Sequence, residues 1–204
     1  NQLAAQRALE AGTTSEDVFD LVRKIREEDG QTPIVFYTYY NLMFSCGLEA
    51  YIAEAKEAGV DGLLVLDLPP EEAGDYVEAC RKIEMKTVFL LAPTTPEERV
   101  EYIAQNATGF IYYVSRTGVT GVREDLASDL QEMVGMIKRH SDNPLVVGFG
   151  IQKPDQVNAV ARLADGVVVG SAIVNTIKEN LEDEGKMLER IESLVTSLVG
   201  GTQR

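Results

Sequence analysis

Leu145-Val146-Val147-Gly148-Phe149-Gly150-Ile151 and Val167-Val168-Val169-Gly170-Ser171-Ala172-Ile173 repeat one pattern: a β-branched apolar run that stops at a glycine and passes straight into a tight turn. Runs that are nearly continuous in apolar residues, and do not alternate with polar ones, are typical of parallel strands covered by helices on both sides. Working back from these two, the same reading applies to Ile34 to Tyr39, Leu63 to Leu68, Thr87 to Leu91 and Phe110 to Val114, which makes six strands with Leu145 to Gly148 and Val167 to Gly170.

Amphipathic helical stretches fill the gaps. Leu48 to Ala58 stops at Gly59, a helix-ending glycine. The next helix is expected to open with Pro70-Glu71-Glu72, a proline at the first helical position followed by acids near the positive end of the dipole. Thr95-Pro96-Glu97-Glu98 has the form of a capping box. Further helices are expected at Gln2 to Glu10, Ser15 to Glu27, Glu124 to Arg139, Pro154 to Leu163 and Glu184 to Leu198. Strand and helix thus alternate, which implies βαβ units with right-handed crossovers. An open doubly wound sheet would announce a GxGxxG turn after its first strand, and none is present. The remaining architecture is the TIM (β/α)8 barrel, which needs eight units and about 250 residues. About six of the eight units are visible in 204 residues. The shortfall falls at the front, where the chain starts at Asn1 and runs at once into a helix; residues 1–204 are therefore expected to be a single barrel domain lacking its first strands.

Composition narrows the function classes. With 45% hydrophobic and 25% charged residues the chain is core-forming. Its 19 basic against 33 acidic residues give a net charge of −14, which argues against nucleic acid and anionic lipid as partners. Any anionic ligand must then be held by local structure. Cys46 and Cys80 form no CxxC pair and His140 is the only histidine, so a reduced, cytoplasmic, metal-free protein is expected. No apolar run approaches the roughly 20 residues needed to span a bilayer, and no charged-then-apolar leader opens the chain.

The two glycine turns also carry chemistry. In β/α barrels the loops after the last two strands, with a helix N-terminus, form a common phosphate site, because glycines let backbone N–H groups approach the anion. Either turn alone is explained by a tight strand-to-helix connection; two at successive strand ends point to a phosphate grip, to which Ser171 would add a hydroxyl donor. Asp67 stands at the carboxyl end of a strand, where barrels place reactive groups, and it could equally cap the helix beyond Pro69 and Pro70. In Phe110-Ile111-Tyr112-Tyr113-Val114-Ser115-Arg116-Thr117-Gly118-Val119-Thr120-Gly121 a strand ends in a polar, glycine-rich loop, and the two tyrosines must face opposite sides.

That last string closely resembles the strand-six and loop-six signature of the tryptophan synthase alpha chain family. Val65-Leu66-Asp67-Leu68-Pro69-Pro70-Glu71-Glu72, Gly148-Phe149-Gly150-Ile151 and Gly170-Ser171-Ala172-Ile173-Val174 follow in that family's order and spacing, and the resemblance runs from Arg7-Ala8-Leu9 to the last helix.

The resemblance implies a lyase that breaks a carbon–carbon bond of indole-3-glycerol phosphate, releasing glyceraldehyde 3-phosphate and passing indole to a beta chain in a heterotetramer of two alpha and two beta chains. It implies no cofactor in this chain, with pyridoxal phosphate only in the beta partner. Proton transfer in the family is the work of two carboxylates, and both match positions ahead of Asn1. Of the residues present, Tyr112 matches the active-site tyrosine. Gly121, Gly150, Gly170 and Ser171 match the phosphate binders, and Phe149 and Thr120 match residues of the indole pocket and closing loop. Asp67 matches a contact coupling the substrate loop to the partner, and Asn41 a partner-facing position, though a turn-forming asparagine fits there as well. Two alternatives stand beside this reading. One is another phosphosugar barrel such as indoleglycerol phosphate synthase. The other is a non-catalytic phosphate-binding regulatory subunit.

Overall fold

The computed structural model describes residues 2–115, 124–148 and 150–202. In chain order the elements are α1 (Gln2–Glu10), α2 (Ser15–Glu28), β1 (Val35–Thr38), α3 (Tyr40–Cys46), α4 (Leu48–Ala58), β2 (Gly62–Val65), a single 3-10 turn (Pro70–Glu72), α5 (Gly74–Lys82), β3 (Lys86–Leu91), α6 (Glu97–Asn106), β4 (Ile111–Val114), α7 (Glu124–His140), β5 (Leu145–Gly148), α8 (Pro154–Ala161), β6 (Gly166–Val168), α9 (Ser171–Glu179) and α10 (Glu184–Gly200). The six strands form one sheet in the order β1-β2-β3-β4-β5-β6, and each neighbouring pair is parallel. A doubly wound sheet reverses its strand order at a switch point. Here the order never reverses, so successive units wind in one direction as the wall of a β/α barrel, with six of its eight units present.

The period-two alternation of each strand divides its residues between two environments. Phe36, Leu63, Phe89, Leu91, Ile111, Tyr113, Leu145 and Val147 are buried in one hydrophobic cluster with helix residues such as Met43, Ile52, Tyr76 and Val100. Their alternates Tyr37, Leu90, Tyr112, Val114 and Val168 point into the concave side and are more exposed. Helix α2 starts on Thr14, whose Oγ1 accepts from the Asp17 N–H while the Asp17 carboxylate accepts from the Thr14 N–H. Helix α4 ends at Gly59 with φ +102°, and the Arg26 side chain lies across that glycine, donating to its carbonyl oxygen and to Asp61 Oδ2.

Several local expectations are corrected. Pro70-Glu71-Glu72 does not open α5; it forms its own 3-10 turn, and α5 begins at Gly74. The capping box at Thr95 is not made, because Thr95 Oγ1 accepts from the Ala92 N–H, 3.0 Å away, and α6 starts after Pro96 with no side-chain cap. Asp67 does not cap the helix that follows it. Its Oδ1 accepts from the Tyr40 N–H at 2.7 Å and so caps α3, a helix not anticipated from the sequence. Asn41 therefore sits in a helix and not in a turn.

Two titratable groups are buried between α5 and the sheet. The Tyr76 hydroxyl donates to the Leu63 carbonyl oxygen at 3.0 Å. Burial, first among the causes, lifts its pKa well above the ordinary tyrosine value, and burial likewise pushes the Cys80 thiol up to about 12. In the unfolded chain these protons leave at about 10 and about 8.5. Folded pKa values above unfolded ones mean that the native state holds more protons at alkaline pH, so their contribution is complete below about pH 8 and is lost as pH rises toward 12. Denaturant midpoints measured at pH 8, 10 and 11 should fall progressively. Cys80→Ala should flatten the first part of that slope.

Candidate active site

The carboxyl ends of β4, β5 and β6 open onto a cavity of about 370 Å³. Its walls are apolar, from Leu90, Val114, Ile151 and Val168; two phenols, Tyr37 and Tyr112, face into it; and Gly150, Gly170 and Ser171 form its remaining side. Each group has a local cause. Gly150 holds φ +69°, a left-handed conformation that glycine adopts without a Cβ penalty. Gly170 is the N-cap of α9 and supplies no side-chain cap, so the first N–H groups of that helix are left for a ligand. Ser171, the first residue of α9, is exposed beside them. Free amides, a helix dipole and a hydroxyl at one point make an anion site.

Tyr112 is placed by Gly148. A Cβ on Gly148 would lie 3.0 Å from the Tyr112 hydroxyl and 2.8 Å from both the Cβ and the carbonyl oxygen of Val168. The missing side chain on β5 therefore gives the tyrosine its berth across the strand. Burial, and secondarily the neighbouring Tyr37 phenol, raise the Tyr112 pKa above its ordinary value, so at neutral pH it is a protonated donor. Tyr113 points the other way into the core, 4% exposed.

A larger cavity of about 510 Å³ lies at the ends of β2 and β3 and shares Leu90 and Val114 with the first. Asp67, Pro69, Pro70, Thr95 and Arg99 line it. Its one guanidinium, Arg99, is already paired with Glu71 at 2.9 Å. With no glycine among its described lining residues and the Asp67 carboxylate in its wall, it is the weaker candidate for holding a phosphate.

The structure thus brings together four residues singled out in the sequence, Tyr112, Gly150, Gly170 and Ser171. Asp67 and Asn41 lie apart, at the ends of β2 and β1, linked through the bond from Tyr40 to Asp67. Thr120, Gly121 and Phe149 lie outside the described residues. The sequence reading missed Tyr37, although strict alternation from the buried Phe36 and Thr38 placed it on the concave face. Among the described residues, no group of three or more histidines, cysteines and acids is placed to hold a metal.

A family model described as tryptophan synthase alpha chain matches residues 1–202. The tryptophan synthase alpha chain of Opitutus terrae is 58% identical over 204 residues, covering 100% of this chain and 76% of that one. That of Methanocaldococcus jannaschii is 42% identical over 186 residues, 91% of this chain and 66% of that one. Among solved structures, the tryptophan synthase a2b2 complex of Pyrococcus furiosus superposes with a TM-score of 0.88 at 40% identity, covering 98% of this chain and 79% of that one. The alpha chain from Legionella pneumophila gives 0.88 at 36% identity, over 98% and 74%. With the family match spanning nearly every residue and the strand order of a barrel wall beneath it, the chain belongs to the tryptophan synthase alpha chain family.

Proposed function

We propose that this chain holds and orients indole-3-glycerol phosphate for cleavage to indole and glyceraldehyde 3-phosphate, as the alpha subunit of a tryptophan synthase acting with a beta chain. The observation that carries the reading is that one cavity contains both the Tyr112 hydroxyl and the uncapped N-terminus of α9 with Gly150 and Ser171. A planar apolar head fits the aliphatic walls and a phosphate fits the amide end. Held at both ends, the glycerol chain between them is fixed, and positioning of this kind supplies much of an enzyme's rate enhancement. The ring carbon that loses the glycerol chain must gain a proton, and the glycerol hydroxyl must lose one. On the resemblance those transfers belong to two carboxylates that match positions ahead of Asn1. Tyr112 contributes a neutral hydrogen-bond donor beside the reacting atoms. The lyase step needs no cofactor in this chain, and pyridoxal phosphate belongs to the beta partner. The free thiols Cys46 and Cys80 support a reducing, cytoplasmic setting. Asp67, as the cap of α3, and Asn41 on α3 are proposed to face the beta chain.

The test is indole release from indole-3-glycerol phosphate by the purified protein, alone and with a beta chain. Release that the beta chain stimulates is expected. Protein that binds glycerol 3-phosphate and stimulates the beta chain without releasing indole would instead be a regulatory subunit. Tyr112→Phe keeps the ring and loses the hydroxyl. It should lower kcat/KM by about 10-fold while leaving glycerol 3-phosphate affinity within about twofold of wild type.

A further inference from the structure

We propose that Gln156 is a positioning residue for the phosphate end of this cavity: it holds the turn that carries Gly150 and takes up two amides at the start of α8, so that an anion is directed to the start of α9. The inference rests on the reading of the cavity given above and adds a residue from outside its lining.

Two strand-to-helix turns meet at the cavity, and their helices begin differently. Helix α9 starts on Gly170 with no side-chain cap. Helix α8 starts after Lys153, with Pro154 at its first position, a residue that has no N–H to leave unpaired. The two amides just ahead of that proline donate to a single atom. Gln156 Oε1 accepts from the Gln152 N–H at 2.8 Å and from the Lys153 N–H at 3.0 Å. Amides at the start of a helix are what an anion would otherwise meet. At α8 these two are spent on the protein's own side chain, whereas at α9 no side chain competes.

The same two bonds fix the turn. Gly150 holds φ +69°, and Ile151, which is buried, lines the cavity. Only Gln152 and Lys153 separate Ile151 from α8, and both are tied to Gln156. A glycine loses much conformational freedom when it is held in one state, and a turn already ordered costs less to bind than one ordered by its ligand. The acceptor is also neutral. A glutamate at this third helical position would make the same bonds and is equally suited to a capping box. Gln156 is 8% exposed, however, so a charge there would act through protein and not through water. Asp155 beside it is exposed, where solvent and salt screen its carboxylate. Glutamine thus closes the turn without a buried negative charge beneath a phosphate site.

Two substitutions separate the bonds from the charge. Gln156→Met keeps the length and removes the acceptor; the Gln152 and Lys153 amides should lose hydrogen-exchange protection, the urea midpoint should fall, and glycerol 3-phosphate should bind about 10-fold more weakly. Gln156→Glu keeps the acceptor and adds the charge; both amides should stay protected, yet glycerol 3-phosphate should again bind about 10-fold more weakly, and that deficit should shrink as salt is raised. In both variants KM for indole-3-glycerol phosphate should rise more than kcat falls. A purely structural glutamine would lower the urea midpoint in Gln156→Met and leave the affinity of the folded protein within twofold of wild type, which overturns the proposal. Gln156→Glu binding as tightly as wild type overturns the requirement for a neutral acceptor. If wild-type protein, with both amides protected, does not bind glycerol 3-phosphate, the reading of the cavity itself fails and the positioning role falls with it.

Discussion

Ser171→Asp should fold at least as well as wild type and bind phosphate esters about 100-fold more weakly or worse. The two halves of this expectation come from the same physics. Ser171 is the first residue of α9, whose N-terminal amides have no side-chain cap. A carboxylate placed there interacts favourably with the helix dipole, worth about 0.3–1 kcal/mol. A phosphate bound to those amides would then stand within about 4 Å of a like charge, and at an effective dielectric near 20 the repulsion is about 4 kcal/mol. The engineered carboxylate also takes the amides for itself. A thermal melt unchanged or raised, together with a collapsed glycerol 3-phosphate titration and a steeply higher KM, is the expected set. Ser171→Ala, which removes one donor and adds no charge, should cost only about 5-fold in affinity.

Gly148→Ala should damage stability and catalysis together. The new methyl would sit 2.8 Å from the Val168 carbonyl oxygen and Cβ, and 3.0 Å from the Tyr112 hydroxyl. Backbone on the neighbouring strand cannot swing aside as a flexible side chain can, so β5 and β6 must separate or Tyr112 must leave its berth. Overpacking of this kind costs about 1–3 kcal/mol, and a shift of about 1 Å in a positioned group costs about 100-fold in rate. Gly135→Ala is the matched control. Gly135 lies within α7, and a Cβ there would meet nothing within 4 Å. That substitution should stabilise by about 0.5–1 kcal/mol through helix propensity and leave kcat/KM unchanged. Urea midpoints and steady-state kinetics on the two alanine variants separate a steric cause from a general effect of losing glycine.

How far each feature could be read from the sequence depended on whether its cause is local. The strands were legible because a parallel strand buried by helices carries its signal in four or five consecutive residues, as Leu145–Gly148 shows. Helix α4 was legible at both ends, from its leucine start to its glycine stop. Helix α3 was not. It is seven residues long, and the carboxylate that caps it, Asp67, lies 27 residues away along the chain. Helix α9 was given no bounds for a related reason, since its N-cap is a glycine with no side chain to announce a start. That same lack of a cap is what makes its amides available to a ligand. At Thr95 a local motif misled, because the hydroxyl found a nearer backbone donor in Ala92.

The site divides in the same way. Glycines after successive strands gave Gly150, Gly170 and Ser171, and alternation together with the family resemblance pointed to Tyr112 over Tyr113. Tyr37 could not be joined to them from spacing, because what brings it to Tyr112 is the curvature of the sheet across the two strands that separate β1 from β4. The role of Gly148 was equally hidden. It was read as the start of a phosphate turn, and the structure shows that its missing side chain also makes room for the Tyr112 hydroxyl.

The most direct measurement is an amide-resolved NMR titration of the protein with glycerol 3-phosphate, then with indole-3-glycerol phosphate. The expected result is saturable shifts of the Gly150, Gly170 and Ser171 amides with the first ligand. The same shifts should appear with the second, joined by ring-induced shifts at Tyr37, Leu90 and Tyr112. Saturable shifts elsewhere with those amides unmoved would contradict the assignment of this cavity as the substrate site.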